Sequence, residues 1–357
     1  MAEPIRLLIV DDSPFMRRAI SSLMDGEEGI KVVGTAKDGQ DAIRQINDLK
    51  PDIATMDIEM PVMDGLTALK IIMEKCPIPV IMLSSLTEEG AKETLDALDL
   101  GAADYIPKNL SNVSLNILKV KDDLISKIRA ITAKKYLFKP LVKEPTARSY
   151  VKPSTAKENG FIISKNNKID IVAIGSSTGG PKALQDVIPK LPQNFPVPII
   201  LVQHMPKAFT GSFAQRLSSI SHIKVVEAVG GEVIKPGTAY LSPGDKHLSI
   251  IKERGNGFIT SLSNEPEDLI NKPSVSVMME SVAREYPGKA LGVILTGMGS
   301  DGLLGMKKIK ENGGKTIAQD EATCVVYGMP KAVVDAGLAD MILPIYKIGD
   351  EIIKETV

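Results

Sequence analysis

A chain of 357 residues exceeds one ordinary hydrophobic core, so two domains and a connection are expected. Its 43% hydrophobic and 24% charged residues suit a soluble globular protein, and a net charge of −1 gives no electrostatic reason to expect nucleic acid binding. Two distant cysteines, Cys76 and Cys324, exclude a disulfide framework, and there is no Cys/His metal spacing, no bilayer-length apolar run and no basic-then-apolar leader. A cytoplasmic protein without direct membrane insertion is therefore expected.

From residue 5 onward, short β-rich runs alternate with amphipathic helical stretches. The runs are IRLLIV (5–10), IKVVGTA (30–36), DIATMD (52–57), PVIMLSS (79–85) and DYIPK (104–108), with helical patterns at 14–25, 40–49, 65–75, 89–98 and 113–131. Strict alternation with short connections argues a parallel sheet covered on both faces, and the size fits a flavodoxin-like doubly wound domain over 1–131. Residues 132–168 break the rhythm with Pro140, Pro145, Pro153 and an excess of basic side chains, and read as a solvated linker.

Alternation returns over 169–357, which is expected to form a second, larger α/β domain. Its strands are IDIVAIG (169–175), VPIILVQ (197–203), IKVVEA (223–228), ALGVILTG (290–297), KTIAQD (315–320) and MILPI (341–345). Helices are expected at 181–191, 208–220, 274–286, 303–312 and 330–336. Between them AYLSPG, HLSIIK and FITSL are short runs separated by turn residues, predicting antiparallel hairpins inserted into this domain. The terminal IKETV shows no feature that reads as a docking tail.

Strand ends carry the candidate chemistry. Asp11 and Asp12 end the first strand, Asp57 the third, Ser84 the fourth and Lys108 the fifth. Three carboxylates at the ligand-binding edge of a doubly wound sheet suit a hard cation such as Mg2+. A phosphoryl group formed on Asp57 would find Ser84 and Lys108 as partners for its oxygens. An acidic pair after a strand is also an ordinary helix cap, but matching polar residues at successive strand ends weaken that explanation. Over residues 5–131 the chain resembles the response-regulator receiver domain, through VDDS (10–13), MD (56–57), MPVMDG (60–65), LSS (83–85) and DYIPK (104–108). The resemblance implies Mg2+ held by Asp11, Asp12, Asp57 and the Glu59 carbonyl. It also implies phosphorylation of Asp57 by a histidine kinase (a chemotaxis kinase, given the second resemblance below), with Ser84 and Tyr105 as switch residues. Asn109 departs from the proline usual in that family.

In the second half, GSSTG (175–179) fits the G-x-S-x-G elbow that lifts a serine, Ser177, out of a strand-to-helix turn. A serine needs a base and a group to orient it. Of three histidines, His204 ends a strand at the edge Ser177 occupies, and Asp301 lies in a glycine-rich turn after another strand. Asp245 competes, in a segment that reads as a hairpin turn. The Thr178 N–H, at a helix start, suits an oxyanion. A phosphate-binding loop is the rival reading, although Walker and Rossmann spacings are absent.

The stretches AIGSSTGGPKAL, VQHMPKAFTGSFAQRL, AYLSPGDKH, KPSVSVMMESVA, GVILTGMGSDG and IAQDEATCVVYGMP closely resemble the catalytic domain of chemotaxis protein-glutamate methylesterases. That resemblance implies Ser177 as nucleophile, His204 as base and acid and Asp301 as orienting residue, with Thr178 and Met298 near substrate and oxyanion. Ser176 stands where alanine is frequent in that family. The implied activity is phosphorylation-activated demethylation of glutamyl methyl esters and deamidation of glutamines on methyl-accepting chemoreceptors, with no cofactor for hydrolysis. Two other readings stay open on the residues alone: a switched binding protein with an inactive hydrolase-like domain, and the same hydrolase acting on a non-receptor protein.

Overall fold

The computed structural model describes residues 3–108, 116–133, 168–253, 255 and 257–357. The expected linker lies almost wholly outside these residues, as do Asn109 and the start of the helix expected at 113–131.

The amino-terminal half alternates Ile5–Val10 (β1), Pro14–Met24 (α1), Ile30–Ala36 (β2), Gly39–Leu49 (α2), Ile53–Asp57 (β3) and Gly65–Lys75 (α3). It continues through Val80–Ser84 (β4), Glu88–Asp99 (α4), Asp104–Pro107 (β5) and Asn116–Thr132 (α5). Strand order is β2-β1-β3-β4-β5 and every pairing is parallel, which is the flavodoxin-like doubly wound order. Every residue of β3 and β4 is buried, because helices cover both faces of a parallel sheet. Helix starts are marked by Ser13, Asp38, Asp64 and Thr87, whose side chains accept first-turn N–H groups.

The carboxyl-terminal half runs Ile171–Ser176 (β6), Gly180–Val187 (α6), Ile199–Gln203 (β7), Lys207–Ile220 (α7), Lys224–Glu227 (β8) and Thr238–Leu241 (β9). Then come His247–Glu253 (β10), Gly257–Ser263 (β11), Val275–Glu285 (α8), Ala290–Ile294 (β12), Leu303–Glu311 (α9), Lys315–Gln319 (β13), Met329–Asp335 (α10), Met341–Leu343 (β14) and Ile345–Thr356 (α11). Seven of these strands form a parallel sheet in the order β14-β13-β12-β6-β7-β9-β8.

One expectation is corrected, and one helix is added. The AYL run is no hairpin strand: β9 lies between β7 and β8 and pairs parallel with both. Only β10 and β11 form the expected antiparallel hairpin, as a separate two-stranded sheet. The tail is a helix, α11, that buries Ile348, Gly349 and Ile352, with Gly349 set against Lys190 and Val187.

The halves meet. One buried cluster runs from Leu95, Leu98 and Tyr105 of the first half into Phe209, Phe213 and Leu217 of the second.

Candidate active site

In the seven-stranded sheet the order reverses beside β6, since the chain moves outward through β7 and later returns on the other side at β12. A doubly wound sheet opens a crevice at such a switch point, at the carboxyl ends of its strands. Ser177 follows β6, His204 follows β7 and Asp301 lies in the turn between β12 and α9, so the topology brings all three to one edge.

The Ser177 turn is held by its backbone. Its N–H donates to the Thr296 carbonyl at 3.0 Å, and its carbonyl accepts from Gly180 N–H at 2.7 Å and Gln203 Nε2 at 3.0 Å. Gly179, at φ 74°, supplies the left-handed residue before α6. The Thr296 hydroxyl donates to the Thr178 carbonyl at 2.9 Å, tying the turn to the end of β12.

His204 Nε2 lies 2.9 Å from Asp301 Oδ2. The Asp301 carboxylate also accepts Val275 N–H (2.7 Å), Ser276 N–H (3.0 Å), Gly302 N–H (2.8 Å) and the Ser274 hydroxyl (3.0 Å). Three of these donors lie at the start of α8, where N–H groups have no partner within the helix. Burial alone would push the Asp301 carboxyl up; the His204 ring and the Ser276 and Val275 N–H groups outweigh it and hold the acid well below the usual carboxylate range. An ionised carboxylate only accepts, so the His204 proton sits on Nε2 and the Nδ1 lone pair is left for other work. Among the described residues, no hydrogen bond joins the Ser177 hydroxyl to His204. The structure thus pairs His204 with Asp301 and sets Ser177, half-buried, on the adjacent strand end.

Thr178 is buried and Met298 half-buried, in a loop whose Gly297 is stapled to Val326 and Gly328 by backbone hydrogen bonds. His222 is exposed. His247 is fully buried, accepts Ser274 N–H on Nδ1 at 3.1 Å and has its pKa pushed down by burial. Asp245 lies in a turn, as expected, at φ 68°, but that turn joins β9 to β10 of a different sheet and is no hairpin, and its carboxylate faces Lys207 at 3.5 Å. Gln203, Ser274 and Thr296 escaped sequence reasoning. Adjacency to His204 was the one signal for Gln203.

The other sheet edge carries the acidic site. Oxygens of Asp11, Asp12 and Asp57 lie within 4.8 Å of one another, an all-oxygen donor set that fits Mg2+. Lys108 Nζ lies 2.5 Å from Asp57 Oδ2 and 3.0 Å from Asp11 Oδ2. Burial pushes the Asp57 carboxyl up, Lys108 opposes this and Asp11 adds to it. Glu59 lines the same cleft, alongside Asp12, Asp57 and Lys108. Ser84 turns away from Asp57: its hydroxyl donates toward Gly90 O at 3.1 Å and accepts from Thr94 Oγ1 at 2.5 Å, both on α4. Tyr105 is buried, and its ring stacks on Phe209 of α7 with centroids 5.0 Å apart.

Helix α7 is where the first half grips the second. Arg216 donates to Asp96 at 2.6 Å and to Asp99, both on α4. Beside the Ser177 turn, Val325 packs against Gly179, and its neighbour Val326 joins the cluster formed by Leu7, Ile9 and Ile106.

A receiver-type domain with a buried aspartate at the carboxyl edge of its sheet, packed against a second α/β domain, defines a response regulator with a hydrolase output. Residues 7–120 match the response regulator receiver domain and residues 172–352 match CheB methylesterase. The chain is 48% identical to protein-glutamate methylesterase/protein-glutamine glutaminase 1 of Oleidesulfovibrio alaskensis, over 98% of this chain and 99% of that one. It is 46% identical to the protein-glutamate methylesterase/protein-glutamine glutaminase of Thermotoga maritima, covering 98% of each. The crystal structure of the Thermotoga maritima CheB methylesterase catalytic domain aligns with a TM-score of 0.51 at 48% identity, over 52% of this chain and 98% of that chain. The chain belongs to the CheB methylesterase family.

Proposed function

We propose that this enzyme removes methyl groups from glutamyl methyl esters, and amide nitrogen from glutamines, on methyl-accepting chemoreceptors, and that Ser177, His204 and Asp301 do the chemistry. The observation that carries the residue assignment is the 2.9 Å contact between His204 Nε2 and a deeply held Asp301. It fixes the ring so that Nδ1 is the basic nitrogen.

The Ser177 hydroxyl attacks the ester carbonyl carbon while His204 Nδ1 takes its proton. The carbonyl oxygen becomes an oxyanion facing the Thr178 N–H, with Met298 at the rim of the same region. Collapse expels methanol, which leaves with the proton from His204; from a glutamine the leaving group is ammonia. Water, deprotonated by His204, then hydrolyses the acyl-Ser177 ester to release the glutamate carboxylate. Asp301 stays ionised throughout and stabilises the imidazolium.

Control comes from the receiver. Asp57 accepts a phosphoryl group from a chemotaxis histidine kinase. Asp11, Asp12, Asp57 and the Glu59 carbonyl would hold Mg2+, which offsets the crowded negative charge when bound. Lys108 and Ser84 bind the phosphoryl oxygens. To do so Ser84 must leave Thr94 and Gly90, and Tyr105 must compete with Phe209, so phosphorylation biases α4 away from α7. We place this enzyme in the cytoplasm, where its two free cysteines stay reduced.

Methanol release from methylated receptor membranes tests the assignment. Ser177→Ala should lower it by about 10⁴-fold or more. Turnover near the parent rate would sink it.

A further inference from the structure

The side chain that precedes the proposed base is itself unusual. Gln203 is 2% exposed at the end of a strand buried on both faces. A buried amide must satisfy two donors and an acceptor or destabilise the fold. Here Oε1 accepts the Ser176 hydroxyl at 2.7 Å, and Nε2 donates to the carbonyls of Ser177 at 3.0 Å and His204 at 2.9 Å. Ser176 and Gln203 are register partners on β6 and β7, and His204 N–H donates to Ser176 O at 3.1 Å. Gly180 makes room: a Cβ there would fall 2.0 Å from Gln203 Oε1.

The amide has one workable orientation. Reversed, it would set its oxygen against two carbonyl oxygens. The Ser177 carbonyl and the Thr178 N–H belong to one planar trans peptide and point in opposite directions. Holding that carbonyl between Gln203 Nε2 and the Gly180 N–H therefore aims the Thr178 N–H to the opposite side. The second Nε2 hydrogen fixes the His204 carbonyl, and with it the strand end that carries the imidazole.

We propose that Gln203 is a positioning residue for the hydrolysis: its amide sets the direction of the Thr178 N–H and the placement of the His204 backbone together, and the Ser176 hydroxyl locks that amide. The inference rests on the Ser177–His204 reading above. Because it concerns alignment in the transition state, its signature is a fall in kcat with KM held.

The test uses the full-length enzyme, phosphorylated with a small-molecule phosphodonor and Mg2+, acting on methylated receptor membranes. Rates are normalised to Ser177 sites counted by burst titration. In Gln203→Leu, kcat per titrated site should fall about 100-fold, the scale of a misalignment near 1 Å, with KM unchanged. In Ser176→Ala, which removes one hydrogen bond and keeps both carbonyl contacts, it should fall about two- to tenfold. A structural role alone would lower the number of titrated sites and leave the rate per site intact; that outcome overturns the proposal. If Gln203→Leu does not fold, Ser176→Ala decides, and an unchanged kcat per site refutes the inference. Ser177→Ala runs beside both: residual turnover there would condemn the underlying site reading instead.

Discussion

Asp57, the last residue of β3, and Asp301, in the turn between β12 and α9, both lie toward the carboxyl edge of a parallel sheet, yet their surroundings drive them in opposite directions. Burial pushes the Asp57 carboxyl up, with Asp11 adding to it and Lys108 only partly compensating. Burial would do the same to Asp301, but His204 and the α8 N–H groups reverse it. The difference follows from the partners. Asp57 shares its edge with other carboxylates, so its charge is poorly satisfied without a bound cation. Asp301 has a helix start pointed at it and needs nothing further. One aspartate is crowded by like charge and the other is held by donors.

The largest break in this comparison should come at Asp301. Asp301→Asn keeps the shape but lets the amide donate to His204, favouring the wrong tautomer. A loss of about 10³- to 10⁴-fold in kcat is expected, read as methanol release, with phosphorylation of Asp57 unaffected. The same variant reports on pH. Asp301 has a depressed folded-state pKa, so its contribution to stability is present above the unfolded value of about 3.9 and is lost as pH falls below it. The gap in unfolding midpoint between parent and Asp301→Asn should therefore be open at pH 7 and narrow below about pH 4. A gap that stays constant would deny Asp301 its special environment.

At the other site the expected effect is on control. Asp57→Ala should abolish stimulation by a phosphodonor and leave basal hydrolysis intact. Chelation of Mg2+ should do the same to the parent enzyme. If chelation also stopped basal hydrolysis, the two sites would not be chemically separate.

How much of this was legible in the sequence depends on the range of the interaction. β1, β3, β4, β6 and β12 were plain because they are short apolar runs ended by polar or glycine residues, which burial on both faces requires. The three acidic residues, and the Ser, His and Asp of the second half, could be grouped because residues after strands fall at one edge once the sheet is parallel. β9 was misread because a four-residue strand between turn residues looks alike in a hairpin and in a parallel sheet; pairing with β7 decided it. In α11 the periodic Ile345, Ile348 and Ile352 were present but passed over among charged neighbours. The helix start that holds Asp301 comes from Ser274–Ser276, more than two dozen residues away in the chain, and carries no local signature. The same holds for Arg216 with Asp96 and Asp99, and for Tyr105 on Phe209, because only docking of the two halves creates those contacts.

That docking gives the smallest and most graded prediction. Arg216 keeps its guanidinium 27% exposed while it bridges Asp96 and Asp99, so water and salt still reach the pair. Each exposed ion pair contributes roughly 0.2–1 kcal/mol, which for two pairs places the effect of Arg216→Ala on the docked population at about two- to thirtyfold. Tyr105 on Phe209 and Val326 in the receiver cluster still hold the halves together, so the release is partial. Basal methanol release by unphosphorylated Arg216→Ala should therefore rise by that factor, while the phosphorylated rate, in which α4 has already left α7, should stay at the parent value. Raising ionic strength should lift the parent's basal rate toward that of Arg216→Ala and move the variant much less. Equal salt responses in the two proteins would mean that the contact between α4 and α7 does not restrain the Ser177 edge.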